Sequence, residues 1–247
     1  GQYRGTGYGQ LCQYRKADGT DQTWAGVDDW RPAGEYRDKA EELEPRAQAS
    51  LYFYGVNPKN NTGNSRWDLY QNWQLEYKWQ DGCAKNIKFW YEAGSREWFE
   101  FPIYRMAEFY LNIAEAYNEE GNPTMALRYL NDIRRRGGIP DETQTDRVGL
   151  RRSIHREWAV EFYVENQWYP HARHWKQGAS MVGGAKYKFE FSQAAGVSWN
   201  PRKPEEFANY TRKPSYVPEY TWHERMSLSP FTLSEVNKGY LVQNPGY

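Results

Sequence analysis

Glu157, Glu161 and Glu165 recur at intervals of four, which sets three carboxylates on one face of a helix. Two carboxylates so placed could serve as general acid and base, as in glycoside hydrolysis, with Asp28 and Asp29 as further candidates. That chemistry needs burial to raise the pKa of one member, and nothing in the local sequence shows it. An ion network with Arg152, Arg156 and Arg173 is the stronger expectation. His171 and His174 could offer two imidazoles to a metal, but Pro170 disturbs the helix and no third ligand is evident, so ordinary hydrogen-bonded histidines are expected. Gly5-Thr-Gly-Tyr-Gly9 is Gly-rich, yet no apolar strand precedes it as a phosphate cradle requires. The chain has no H-E-x-x-H, G-x-S-x-G or P-loop motif. Cys12 and Cys83 are too few and too far apart for a disulfide framework or a metal motif; two buried thiols are expected rather than a bridge. These readings point to no catalytic residue, no metal and no cofactor.

The aromatic residues are the better candidates. They make up 17% of the chain, with 12 Trp and 21 Tyr, although its mean hydropathy is −1.03. So many rings in so polar a chain leave some outside the core, where ring faces serve as platforms for sugars, peptides or partner proteins. Trp24, Trp30, Trp67, Tyr70, Trp73 and Trp79 sit among Asp, Asn, Gln and Arg in loop-like sequence. Taken singly, each Trp is better read as a core ring; as a group they predict one or two surface platforms. Equal numbers of acidic and basic side chains argue against a general nucleic-acid binder. No stretch is long and apolar enough to span a membrane as a helix.

Residues 101–140 must supply much of the scaffold. Ile103, Met106, Tyr110, Ile113 and Tyr117 recur at steps of three and four and predict an apolar helix face, with Ala107 and Ala114 beside it. Gly121 suits a left-handed helix stop, Asn122 a cap and Pro123 a first helical position. Ala126, Leu130 and Ile133 mark the second helix, and Arg134, Arg135 and Arg136 complement the dipole of its last turn. The pair is about as long as one tetratricopeptide repeat. A further helical stretch over residues 148–178 has Leu150, Ile154, Trp158 and Phe162 as its stripe and should break at Pro170. Residues 1–100 show no clean helical period; they suggest strands at 51–54 and 88–91 and a loop at 57–65, with a formal glycosylation sequon at Asn60. Residues 178–247 read mostly as loop, with a short helix at 232–238. Two helix pairs cannot close a repeat core, so something is expected to cover their exposed side, another part of the same gene product being one candidate.

Four stretches together resemble the C-terminal domain of the SusD/RagB family, surface lipoproteins of Bacteroidetes nutrient-uptake systems. They are Ile103-Tyr-Arg-Met-Ala-Glu108 with Ala114-Glu-Ala-Tyr-Asn118, Ala126-Leu-Arg-Tyr-Leu-Asn-Asp-Ile-Arg134 with Arg136-Gly-Gly-Ile-Pro140, Ile154-His-Arg-Glu-Trp-Ala-Val-Glu161 with Arg173-His-Trp175, and the tail Leu241-Val-Gln-Asn-Pro-Gly-Tyr247. Glu44-Pro-Arg46 and Asn86-Ile-Lys-Phe-Trp90 match more loosely. Trp168 stands where the family has Arg and His171 where it has Asp, so the Arg–Asp contact of the family is not expected; Asn166 replaces a Gly and still tolerates a left-handed turn.

The resemblance implies a mainly α fold of tetratricopeptide-like helix pairs over residues 101–247 and an irregular, ligand-facing aromatic lobe with short strands over residues 1–100. It implies a binding protein rather than an enzyme, one that captures glycan at the outer-membrane surface and delivers it to a SusC-like TonB-dependent transporter. Peptide is the alternative ligand. It also implies an N-terminal half of the same protein, bearing the lipid anchor, as a partner. By position in this sequence, Trp24 and Trp30, then Tyr8, Tyr14, Trp67 and Trp73, are the expected ligand contacts.

Overall fold

A computed structural model of the chain describes residues 5–56, 82–89, 101–198 and 206–247. Trp67, Tyr70, Trp73, Trp79, the loop at 57–65 with Asn60, and residues 90 and 91 lie outside the described residues.

Near the N-terminus come strand β1 (Gly5–Thr6), helix α1 (Tyr8–Leu11), strand β2 (Arg31–Pro32), helices α2 (Ala33–Glu41) and α3 (Pro45–Ser50), and strands β3 (Leu51–Tyr52) and β4 (Ala84–Asn86). β1, β4 and β3 form an antiparallel sheet in that order. The 88–91 segment was expected to be a strand; the strand is instead β4, because its backbone pairs on both sides, with Gly5–Thr6 and Leu51–Tyr52.

The helical part is α4 (Met106–Glu120), α5 (Pro123–Arg136), α6 (Arg147–Glu161), α7 (Trp168–His174) and α8 (Gly178–Met181). The α4–α5 turn follows its sequence signals: Gly121 has φ 89°, and the Asn122 side chain accepts a hydrogen bond from Met125 N at 3.1 Å. The buried face of α4 differs from expectation. It is Ala107, Leu111, Ala114 and Asn118, whereas Ile103 and Met106 are 76% and 65% exposed. The two alanines allow α5 and α6 to approach closely, and the bulkier Tyr110 and Tyr117 flank that seam against Tyr129. On α6 the predicted stripe of Leu150, Ile154, Trp158 and Phe162 is buried as expected.

The helix ends at Glu161, ahead of Pro170. Left-handed Val164 and Asn166 (φ 56° and 63°) turn the chain, and Pro170 sits in the first turn of α7, where a missing N–H does no harm.

Residues beyond 178 were expected to be loop but form a long antiparallel pair, β5 (Gly184–Gln193) and β6 (Phe207–Tyr220), with β2 on the free edge of β6. Its core-facing rings are Phe189, opposite Arg212, and Phe191, opposite Tyr210. A short helix α9 (Leu233–Val236), preceded by Thr232, lies near the C-terminus. The aromatic lobe is therefore not closed by residues 1–100 alone. Its core joins Leu11, Tyr14, Tyr36, Phe53 and Tyr54 to Phe189, Phe207 and Tyr210, because the early strands are too short to bury their own rings.

Candidate functional site

The three glutamates, two on the last turns of α6 and Glu165 in the turn after it, are buried but ionically satisfied. Glu157, Glu161 and Glu165 are 3%, 5% and 6% exposed. Their partners are not the expected Arg152, Arg156 and Arg173. Arg46 bridges Glu44, Glu157 and Glu161; Arg105 donates to Glu161 (2.5 Å) and Glu165 (2.7 Å); Lys88 donates to Glu165 (2.7 Å). Arg134 and Arg136, at the end of α5, face Glu157 and Glu161 respectively. Burial pushes Glu157 up against the pull of Arg46, whereas Glu161, desolvated but held by Arg105, Arg136 and Arg46, sits at about 2. This ties α3, α5 and α6 together and engages each of the three carboxylates with at least one cation.

The other catalytic candidates are paired as well: Asp28 with Lys213, and Asp29 with Arg31. His171 lies against Trp158 (3.9 Å between ring centroids) and His155 stacks on Trp175 (3.6 Å). Burial lowers both histidines to about 4, so both are neutral at pH 7. His171 is held by ring packing, and Trp168 Nε1 donates a hydrogen bond to Met181 O (3.3 Å). Cys12 and Cys83 are free thiols, Cys83 buried and Cys12 half-buried. Among the described residues, no group of three or more His, Cys, Asp or Glu could hold a metal ion.

A cleft of about 1170 Å³ lies between α6, α8, the N-terminal segment and β5–β6. Its aromatic walls are Tyr8, Tyr187 and Trp168, and Gln10, Gln13, Gln177 and Ser180 supply hydrogen-bonding groups. Tyr8 meets Tyr187 edge-on at 6.4 Å and Phe189 at 5.9 Å, so the core ring Phe189 props the wall from behind. Arg212 lies over both tyrosine rings, at 4.5 Å and 5.3 Å. A second cavity of about 730 Å³ adjoins the first and shares Gln10, Trp168, Met181 and Lys186 with it.

Of the residues expected to touch ligand, Tyr8 is on this cleft. Trp30 is 45% exposed, on the segment that leads into β2. Trp24 is half-buried, tilted between Tyr36 (5.8 Å) and Phe189 (5.7 Å), and so supports the core. Tyr14 is a correction: at 1% exposure its ring is packed in the core near Tyr163 and has no face for a ligand. Sequence reasoning missed Tyr187, Trp168 and Arg212. The alternation of Tyr187, Phe189 and Phe191 was a readable strand signal for the first of these.

A helix hairpin docked on a third helix, a carboxylate network paired with cations and an open aromatic cleft make up the scaffold and its candidate site. The chain belongs to the SusD family, which it matches over residues 9–247. It is similar to a SusD-like protein from Bacteroides fragilis NCTC 9343, with 25% identity and a TM-score of 0.71 over 98% of this chain and 47% of that one. It also resembles two structures of BT4246. One, the selenomethionine form, has 23% identity and a TM-score of 0.67 over 98% of this chain and 46% of that one. The other has 25% identity and a TM-score of 0.66 over 96% and 43%. The chain thus spans a little under half the length of these solved structures. No curated protein matches it. Among the described residues no helix is long and apolar enough to cross a membrane.

Proposed function

We propose that this chain forms the ligand-facing part of a cell-surface protein that captures oligo- or polysaccharide and delivers it to a SusC-like TonB-dependent transporter. In this reading a lipid on an N-terminal half of the same protein holds it at the outer membrane. Family membership supports the role, and the cleft carries the assignment of ligand: ring faces of Tyr8, Tyr187 and Trp168 beside the amides of Gln10, Gln13 and Gln177. Sugars have apolar ring faces that lie on aromatic platforms and hydroxyls that suit amide groups. The mechanism is capture and release without turnover, since the carboxylates a glycosidase would need are engaged with cations. Peptide is the alternative ligand, and titration calorimetry against a glycan panel and a peptide mixture separates the two.

Tyr8→Ala is expected to weaken glycan binding about three- to tenfold, the worth of one aromatic contact. Trp30→Ala should give a similar loss if the bound chain extends past the cleft. Trp24→Ala should act on stability, because its ring is wedged in the core. Unchanged affinity in Tyr8→Ala would remove the cleft as the ligand site.

A further inference from the structure

The cleft is strongly one-sided in charge. Arg151, Arg152, Arg156, Lys186 and Arg212 line it, and among the described lining residues there is no Asp or Glu. The whole chain has as many acidic as basic side chains, so this is segregation and not bulk composition. Two of the cations are engaged: Arg151 donates to Glu119 at 2.6 Å, and Arg156 pairs with Asp21 while donating to the carbonyls of Cys12 and Gln13.

The other three have no carboxylate partner among the described residues. Arg152 is exposed. The Lys186 ammonium donates to Gly183 O at 2.7 Å and is desolvated enough to lower its pKa. The Arg212 guanidinium lies over the rings of Tyr8 and Tyr187, and its Nε is buried without a hydrogen-bond partner.

A partly desolvated cation without a counter-charge is costly, and an anion entering the cleft would remove that cost. A guanidinium fork beside aromatic rings suits an oxyanion, planar carboxylate or tetrahedral sulfate, two of whose oxygens it can bind with parallel hydrogen bonds. A neutral sugar would satisfy the ring faces and the amides but leave these cations unanswered.

We infer that the cleft selects acidic saccharides, oligomers bearing uronic carboxylates or sulfate esters, with Arg212 and Arg152 reading the anionic group and Tyr8 and Tyr187 the sugar ring. This rests on the saccharide reading above and narrows it.

The test is titration calorimetry of the full chain against four probes: an oligogalacturonide, the same oligomer with its carboxyls reduced to alcohols, a sulfated galactan oligomer, and oligoglutamate. One or both acidic saccharides should bind about tenfold or more tightly than the reduced oligomer, and the arm that binds identifies carboxylate or sulfate. Arg212→Gln and the exposed-site variant Arg152→Gln should each lower affinity for the acidic oligomers several-fold more than affinity for the reduced oligomer. Raising salt should erode the preference in the unsubstituted protein. Equal binding of reduced and acidic oligomers would overturn the inference and leave saccharide capture standing. Binding of no saccharide would overturn both, as would a clear preference for oligoglutamate.

Discussion

Arg46→Met should lower the unfolding free energy of the chain by about 3–5 kcal/mol, measured by urea denaturation at neutral pH. Its side chain is 15% exposed and reaches three carboxylates: Glu44 through Nε (2.8 Å), then Glu157 and Glu161 through Nη1. Removing the cation leaves Glu157 with Arg134 alone, at 3.7 Å, and Glu44, 1% exposed, with no cation among the described residues, while Glu161 keeps Arg105 and Arg136; two carboxylates this deeply buried are then under-compensated. The packing of the methylene stem survives in Met, so the loss reports on charge rather than on a cavity.

Gly137→Ala should destabilise through the same contact, because a Cβ there would lie 2.6 Å from Arg46 Nε and push the guanidinium off its partners. Combining the two should cost less than their sum, since the steric conflict disappears with the arginine. A loss under about 1 kcal/mol for Arg46→Met would mean that water or chain relaxation replaces the network.

The network also sets an acid limit. Glu161 releases its proton at about 2 in the folded chain against an ordinary value of 4.5. The folded state therefore binds this proton less tightly than the unfolded one. Its contribution is complete above pH 4.5 and is lost as the pH falls to about 2, a difference of roughly 3 kcal/mol. Burial pushes Glu157 the other way and offsets part of this. In Glu161→Gln the fall of stability between those pH values should become shallower.

What was legible in the sequence is what neighbours decide. Gly121, Asn122 and Pro123 fix the α4–α5 turn through contacts of three or four residues, and the α6 stripe is set by spacing alone. The α4 face was misread because α4 is apolar on two faces. Spacing alone cannot say whether the small residues Ala107 and Ala114 or the larger Ile103 and Met106 meet a neighbour; close approach of α5 and α6 selects the small ones. The partners of the buried glutamates were out of reach for another reason. Arg46 is 111 residues from Glu157 and Arg105 is 56 residues from Glu161, whereas local spacing offered Arg152, Arg156 and Arg173.

The β5–β6 pair was hidden differently. β5 alternates rings and polar residues, but its partner strand contains Pro214 and Pro218, which argue against a strand when read in isolation. The cleft depends on that pair, so its cations could not be assembled from sequence either. Arg152 comes from α6, while Lys186 and Arg212 come from two strands.

The hinge between fold and proposed function is Phe189, and Phe189→Ala should damage both. Its ring is fully buried, with Tyr210 at 5.2 Å, Trp24 at 5.7 Å, Tyr36 at 5.8 Å and Tyr8 at 5.9 Å. Deleting a ring this enclosed should cost about 3–5 kcal/mol, because the neighbours are rings anchored on α1, α2 and β6 and cannot collapse into the space together. Phe189→Leu should cost visibly less, since it fills more of the volume. Opposite Phe189 in the sheet stands Arg212, and against its edge stands Tyr8, so the same deletion loosens the wall that presents both to the cleft. At a temperature where Phe189→Ala remains folded by circular dichroism, its saccharide affinity should fall at least as far as that of Tyr8→Ala. Full affinity in a folded Phe189→Ala protein would show that the cleft wall does not depend on the aromatic core behind it. Tyr8 and Arg212 would then be positioned by α1 and the β6 backbone alone.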